Sequence, residues 1–195
     1  MTKREITRAD ILPMDEYIPV RPDRKSSISA LKKNRRVHVG PDATFYFESF
    51  DTMLHQVQEM LYIERGGEGQ IDDELSAYNP LIPGGRELVA TLMFEIDDPV
   101  RREGFLASLG GVENTVTLSM GGEVITAIPE DDVERTTADG KASSIQFLHF
   151  PFTDAQVEIF RDSQTPVTLG IGHAQYGHMA NLPNAVRQAL ALDFD

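Results

Sequence analysis

The chain has 195 residues, 41% of them hydrophobic, a size at which one core forms without disulfide or metal support. It contains no cysteine, which excludes disulfides, thiolate zinc sites, cysteine-ligated iron–sulfur clusters and a cysteine nucleophile. The net charge is −13 and no stretch approaches the roughly 20 apolar residues of a membrane span, so we expect a cytoplasmic protein without membrane contacts.

Positive charge is concentrated at the start of the chain. Residues 1–36 hold ten basic and five acidic residues, whereas the remainder holds eight basic and 26 acidic residues. We interpret 1–36 as a basic helical segment that packs on a single α+β domain, residues 37–195. Its cations either neutralise the acidic body or dock a protein partner. The candidate docking residues are Arg21, Arg24, Lys32, Lys33, Arg35 and Arg36.

Nucleic acid is a disfavoured partner, because the acidic body would repel a phosphate backbone. Any such contact would have to run through the basic segment alone. The sequence is compatible with both a monomer and a homo-oligomer.

The first elements are a short helical turn, a longer helix and a β-hairpin. Thr7 is a predicted N-cap, and Pro13 ends the turn. Pro22 suits the first position of a second helix that runs to about Lys33. Apolar and polar residues then alternate on both sides of a Gly-Pro-Asp turn at 40–42, which predicts the hairpin.

The clearest helix covers residues 51–65, where apolar residues recur at helical spacing before Gly66. Glu64 falls in the middle of that apolar stripe, and His55 and Glu59 lie on the opposite face. A carboxylate directed at a core requires a cation, a metal or a donated hydrogen bond. Helical phase therefore predicts a buried polar site around Glu64.

The remaining pattern predicts short helices and strands in alternation. In chain order these are a helical piece at 72–77, a strand at 90–96, a helix at 99–109, a hairpin at 115–120 and 123–128, a surface loop at 129–144, a strand at 145–150, a helix at 154–160, a strand at 167–171, a loop at 172–178 and a helix at 183–192. Two connections are hairpins, so we predict an α+β fold with a mostly antiparallel or mixed sheet and packed helices.

Carboxylates and histidines are the candidates for metal binding. Glu48, Glu59, Glu64 and His55 are residue types that ligate metals when several converge. The spacing of His55 and Glu59 is equally compatible with a solvated pair. The chain has no Glu-x-x-His motif, so a rubrerythrin-type di-iron site within it is not expected.

A second candidate is the glycine-rich segment that follows the last strand. His173 and His178 flank Tyr176 there, which is compatible with a ligand loop or with ordinary surface histidines. His149 lies on an apolar strand, where a hydrogen-bonded core residue is the commoner outcome. Phosphate-binding and nucleophile-elbow motifs are absent, and no cofactor is identified.

Several stretches resemble an uncharacterised bacterial family that carries only a domain-of-unknown-function label. They are Lys32 to Val37 with Gly40, Phe47-Glu48, Thr52, Gln58-Glu59-Met60, Glu64, Glu74-Leu75, Tyr78-Asn79 and Leu81-Ile82-Pro83. The resemblance extends over nearly the whole chain. It implies a genomic context beside rubrerythrin-like di-iron proteins and iron–sulfur oxidoreductases, and it carries no catalytic or binding residues.

We therefore expect a non-catalytic accessory or partner-binding protein associated with a bacterial redox or metalloprotein system. The alternative is a small metal- or ligand-binding enzyme that uses the clustered carboxylates and the loop histidines.

Overall fold

The computed structural model describes residues 3–130 and 140–195, which contain six α-helices and nine β-strands. The helices are α1 (Met14–Lys32), α2 (Phe50–Glu64), α3 (Glu68–Tyr78), α4 (Pro99–Ala107), α5 (Asp154–Arg161) and α6 (Asn184–Leu190). The strands are β1 (Arg36–Val39), β2 (Ala43–Phe47), β3 (Glu87–Phe94), β4 (Val116–Met120), β5 (Glu123–Thr126), β6 (Ile128–Pro129), β7 (Ile145–Pro151), β8 (Val167–His173) and β9 (Tyr176–Asn181).

The strands form two sheets that share one core. A five-stranded sheet has the order β1-β2-β3-β7-β6, and a four-stranded sheet has the order β5-β4-β8-β9. All described strand pairs are antiparallel. Phe45 and Leu148 from the first sheet belong to the same buried cluster as Leu118 and Leu169 from the second. The predicted α+β fold is confirmed.

A separate helical layer covers the other face of the five-stranded sheet. Met53, Val57 and Leu61 of α2 are buried against Val89 of β3. These residues recur at helical spacing because one stripe of α2 faces the sheet. Helices α1 and α3 pack on α2 in turn, so these three helices form one side of the molecule.

The first long helix starts earlier than its prolines suggest. Helix α1 begins at Met14 and contains both Pro19 and Pro22, so the predicted start at Pro22 is wrong. Each proline removes a backbone hydrogen bond. Both rings lie on the exposed side of the helix, whereas Tyr17, the one buried residue of α1, holds the opposite side against the body. Packing of the Tyr17 side chain outweighs the helix-breaking preference of the two prolines.

The glycine-rich segment 172–178 is a hairpin, which corrects the predicted loop. Strands β8 and β9 pair across it, with Gly172 opposite Gly177. The glycines lie on the exposed face of the sheet, while Ile171 and Tyr176 are buried on the inner face. Glycine is tolerated because nothing has to pack at those positions.

Two smaller predictions also change. Ile128 leaves the predicted hairpin and pairs with His149 of the other sheet, so the chain crosses between sheets there. The loop predicted over 129–144 lies largely outside the described residues. No helix in the described ranges has the length and apolar character needed to cross a bilayer.

Candidate functional site

A groove with a volume of about 790 Å³ opens where α1, α2 and α3 meet. This volume falls in the range of about 300–1,000 Å³ that is usual for ligand pockets. Most of the groove is apolar. Its lining consists of Ile11, Leu12, Pro13, Met14, Ile18, Leu61, Tyr62 and Ile71, with Arg8, Arg65, Gly67 and Glu68 as the remainder.

Arg65 contributes the one charge in this lining that has no ion-pair partner among residues 3–130 and 140–195. It ends α2 in the left-handed conformation with φ of 55°, and its N–H donates to the Leu61 carbonyl at 3.2 Å. Arg8, by contrast, donates to Glu68 at 3.1 Å and to Asp72 at 2.9 Å. The guanidinium of Arg65 is therefore available to a ligand.

A hydrogen-bonded cluster fastens α1 to α2 beside the groove. Glu59 accepts hydrogen bonds from the Tyr17 hydroxyl at 2.6 Å and from two nitrogens of Arg21 at 2.7 and 2.8 Å. The Arg21 guanidinium also lies 4.2 Å from the centre of the Tyr62 ring. The bonds from Arg21 lower the pKa of Glu59 to about 2. Burial and the bond to Glu59 raise the pKa of Tyr17.

Beyond this cluster, α1 carries a cationic ridge, which we define as Arg24, Lys25, Lys32 and Lys33. Lys25 and Lys33 are exposed, and Arg24 and Lys32 are half-buried. None of the four forms an ion pair with an acid in the described part of the chain. Of the six predicted docking residues, Arg24, Lys32 and Lys33 lie on this ridge, whereas Arg21 forms an ion pair with Glu59.

Arg35 is a core residue and not a docking residue, which corrects the sequence-based expectation. Its side chain is buried, donates to the backbone carbonyls of Phe47 and Glu48 at 3.0 and 2.6 Å, and forms an ion pair with Asp193. Burial raises the pKa of Asp193, and the charge of Arg35 opposes that change. Arg36 is exposed, with its guanidinium 4.8 Å from the centre of the Tyr46 ring.

The four predicted metal ligands have different surroundings. Glu48 is buried and accepts hydrogen bonds from Thr52 and Thr91 at 2.6 and 2.8 Å. Glu59 belongs to the cluster with Tyr17 described above. The described residues contain no group of three or more His, Asp or Glu side chains placed to hold a metal ion.

Glu64 does not face the core. Its side chain is exposed and accepts a hydrogen bond from Gln70 at 2.8 Å. The predicted direction is wrong because α2 ends at Glu64, beyond the last buried stripe residue, Leu61. Helical phase gives an angle around the axis, but it does not show where the surface opposite the helix stops.

His55 lies on the same face of α2 as Glu59 but does not bond to it. Its Nδ1 is buried and has no hydrogen-bond partner in the described structure. Burial lowers the pKa of His55, and Lys32 and Lys25 act in the same direction against Glu59. Its surroundings therefore disfavour the protonated form of His55.

The predicted ligand loop is structural at its centre. The Tyr176 hydroxyl donates to the Val39 carbonyl at 2.8 Å and accepts from the N–H groups of Asp42 and Ala43, both at 3.0 Å. The His178 ring lies 4.4 Å from the Tyr176 ring. His173 accepts from the Gln175 N–H at 3.2 Å, across its own turn. The Tyr176 bonds connect β9 to β1 and β2, whereas the His173 bond stays within its own turn and His178 packs on the Tyr176 ring.

His149 is hydrogen-bonded, as the sequence predicted, and its partners are two carboxylates. Its Nδ1 lies 2.9 Å from Glu87 and its Nε2 lies 2.7 Å from Glu130. The bond to Glu87 and then the bond to Glu130 raise the pKa of His149 against the effect of burial. This arrangement links the end of β6 to β7 and β3 within the five-stranded sheet.

Sequence reasoning missed the groove. Its walls come from residues 8–18 and 61–71, which are brought together only by the packing of α1 and α3 on α2. Arg65 was also missed, because the following Gly66 and Gly67 look like the natural helix stop. One available signal is Ile18 in the first half of α1, a large apolar side chain that is 53% exposed.

Comparison with known proteins gives a family but no activity. A crystal structure of a protein of unknown function from Burkholderia pseudomallei is similar over 100% of both chains, with 35% identity and a TM-score of 0.90. No curated protein matches the chain. A family model described as "Protein of unknown function (DUF3501)" matches residues 5–194. The chain therefore belongs to the DUF3501 family.

Proposed function

We propose that the protein is a non-catalytic accessory protein that docks an acidic partner protein through the cationic ridge of α1. The observation that carries this proposal is the lack of an ion pair at Arg24, Lys25, Lys32 and Lys33 within the described residues. The chain has 31 acidic residues and a net charge of −13, so four neighbouring cations without an ion-pair partner among the described residues are unusual.

The charge on the rest of the surface favours one orientation of an acidic partner protein. An acidic partner is repelled by the acidic body and attracted by the ridge, and complementary patches of this kind steer and orient an encounter. The ridge is also presented rigidly, because the cluster of Tyr17, Arg21 and Glu59 fastens α1 to α2. Side chains on a fixed helix lose less freedom on binding than side chains on a loop.

The partner class follows from the resemblance stated above. The family context implies a redox or metalloprotein, and a rubrerythrin-like protein from the same genome is the first one to test. The metal-binding alternative has weaker support, since Glu48, Glu59 and Glu64 are each engaged at separate places.

The test is a binding titration of the purified protein with that rubrerythrin-like protein by calorimetry. We expect Lys25→Gln/Lys32→Gln to weaken binding about fivefold, since exposed charges of this kind contribute about 1 kcal/mol together. The matched control is Lys3→Gln/Lys141→Gln, which removes the same charge at Lys3, paired with Asp10, and at Lys141, near Glu103. The control should bind as the wild type does.

Binding should also weaken steeply as salt rises from about 50 to 300 mM, because exposed charges are screened. Salt-independent binding, or equal losses in the two double variants, would contradict a role for the ridge. So would the absence of a complex at low salt.

A further inference from the structure

We propose that the groove between α1, α2 and α3 binds a single aliphatic chain that ends in a carboxylate, a long-chain carboxylic acid. This inference goes beyond the docking function and does not rest on it. The two surfaces use different residues. The ridge occupies residues 24–33, whereas the groove uses the first turns of α1 and the junction between α2 and α3.

The lining selects an aliphatic ligand. Ile11, Leu12, Ile18, Leu61 and Ile71 provide branched apolar surface, and burying such surface against a chain is favourable by roughly 25 cal/mol per Å². Ile18 is 53% exposed, a large fraction for an isoleucine that lines a concave surface. A ligand chain would cover it.

The lining offers little to a planar aromatic ligand. Its one aromatic residue is Tyr62, and the Arg21 guanidinium already lies 4.2 Å from the centre of that ring. The edge of the same ring meets Tyr17 at a centroid distance of 6.3 Å. The lining therefore offers a nucleotide or flavin at most one aromatic face for stacking.

The charges of the lining indicate one anionic group. Arg8 and Glu68 neutralise each other, and Arg8 also binds Asp72. Arg65 has no such partner in the described ranges and lies where α2 meets α3. A guanidinium is suited to a carboxylate, which it binds through two parallel hydrogen bonds. One uncommitted cation beside an apolar groove matches a ligand with one acidic head and one apolar tail.

The experiment measures binding to the full chain by calorimetry, with dodecanoate kept below its micellar concentration and dodecanol kept below its solubility limit. We expect dodecanoate to bind at one equivalent and dodecanol to bind about tenfold more weakly, the loss of one charge-assisted contact. Arg65→Gln should weaken dodecanoate about tenfold and leave dodecanol unchanged. Ile18→Glu should weaken both.

The matched control is Ile63→Glu. Ile63 is 63% exposed, carries the same side chain and does not line the groove, so this variant should bind dodecanoate as the wild type does. Lys25→Gln/Lys32→Gln should also bind it normally, which separates this proposal from the docking function.

Three outcomes would overturn the inference. The first is no saturable binding of dodecanoate, and the second is equal binding by the Ile18→Glu variant. The third is equal affinity for dodecanol and dodecanoate, which would show that the carboxylate of the ligand contributes nothing to binding. If Ile18→Glu abolished binding of a protein partner while dodecanoate failed to bind, the groove would belong to that protein and the proposal would be wrong.

Discussion

At the scale of single residues, Arg65 combines an unfavourable backbone with an uncommitted charge. It is the one non-glycine residue in the described ranges with a positive φ. The left-handed conformation costs a residue with a Cβ roughly 1 kcal/mol, and glycine adopts it freely. An arginine kept at such a position, directly before two glycines, is consistent with a binding role.

We predict that Arg65→Gly raises the free energy of unfolding by about 0.5–1 kcal/mol, because the backbone penalty disappears. The same variant should lose affinity for dodecanoate. Urea denaturation measures the first effect and calorimetry the second. Arg65→Ala is the control, since it removes the charge and keeps the Cβ. A loss of stability in Arg65→Gly relative to Arg65→Ala would contradict the backbone argument.

Glu59 gives a second prediction, which depends on pH. Its pKa falls from 4.5 to about 2 in the folded protein, mainly through Arg21. A lowered carboxyl pKa stabilises the fold above the unfolded value, and this contribution is lost as pH falls through about 2. Glu59→Gln should therefore cost about 1 kcal/mol at pH 7, a figure reduced for solvent screening.

The difference in unfolding free energy between the wild type and Glu59→Gln should shrink as pH falls from about 5 to 2. Guanidinium denaturation at several pH values measures it. Glu16→Gln is the control, because Glu16 of α1 is exposed and its substitution should change stability little at any pH. A pH-independent difference would show that the carboxylate charge is not involved.

Glu64 and Arg35 show what residue-level reasoning can and cannot supply. Their helical and strand phases were available from the sequence, but the extent of the sheet beneath α2 was not. Glu64 was therefore expected in the core but lies on the surface. Arg35 was expected on the surface but forms a buried ion pair with Asp193. Asp193 is 158 positions away in the chain, so local pattern has no access to it.

At the scale of elements, Tyr176 joins the edges of the two sheets. Its hydroxyl bonds three backbone groups in the turn between β1 and β2. Tyr176→Phe would leave these buried groups without that partner. We predict a loss of about 2–3 kcal/mol of unfolding free energy, the cost of unsatisfied buried polar groups.

Tyr46→Phe is the matched control, since Tyr46 bonds only the Glu95 side chain, at 2.6 Å, and lies nearer the surface. Its expected loss is under about 1 kcal/mol. Thermal or urea denaturation compares the two variants. Equal losses would show that the hydroxyl of Tyr176 does not hold the sheets together.

The prolines of α1 give a prediction at the same scale. Pro22 lies inside the helix on its exposed side and cannot donate to the Ile18 carbonyl. Pro22→Ala should raise the unfolding free energy by about 1 kcal/mol and slow amide exchange in α1. Pro99→Ala is the control, because proline at the first position of α4 is favourable and its removal should not stabilise the protein.

Element types were largely predictable, and their exceptions have physical causes. The helix at 51–65 and the first hairpin follow from apolar periodicity, and the strand at 145–150 follows from a run that is apolar on both faces. Helix α1 and the β8–β9 hairpin were mispredicted because proline and glycine were taken as breaks. In each case the breaking residues lie on an exposed face, and a buried tyrosine on the other face fixes the element.

At the scale of the whole molecule, the candidate binding features gather on the helical side. The cationic ridge, the cluster of Glu59 and the groove all involve α1, while the four-stranded sheet lies on the opposite side of the shared core. Charge asymmetry along the chain predicted the ridge. The groove was not predictable, because its volume depends on how three helices pack.

Docking through the ridge is tested by hydrogen–deuterium exchange of the protein with and without the rubrerythrin-like protein. We expect slower exchange in peptides that cover residues 24–33, with little change in β4, β5, β8 and β9. This protection should disappear in Lys25→Gln/Lys32→Gln. Protection confined to the four-stranded sheet, or unchanged exchange in α1 within a stable complex, would contradict it.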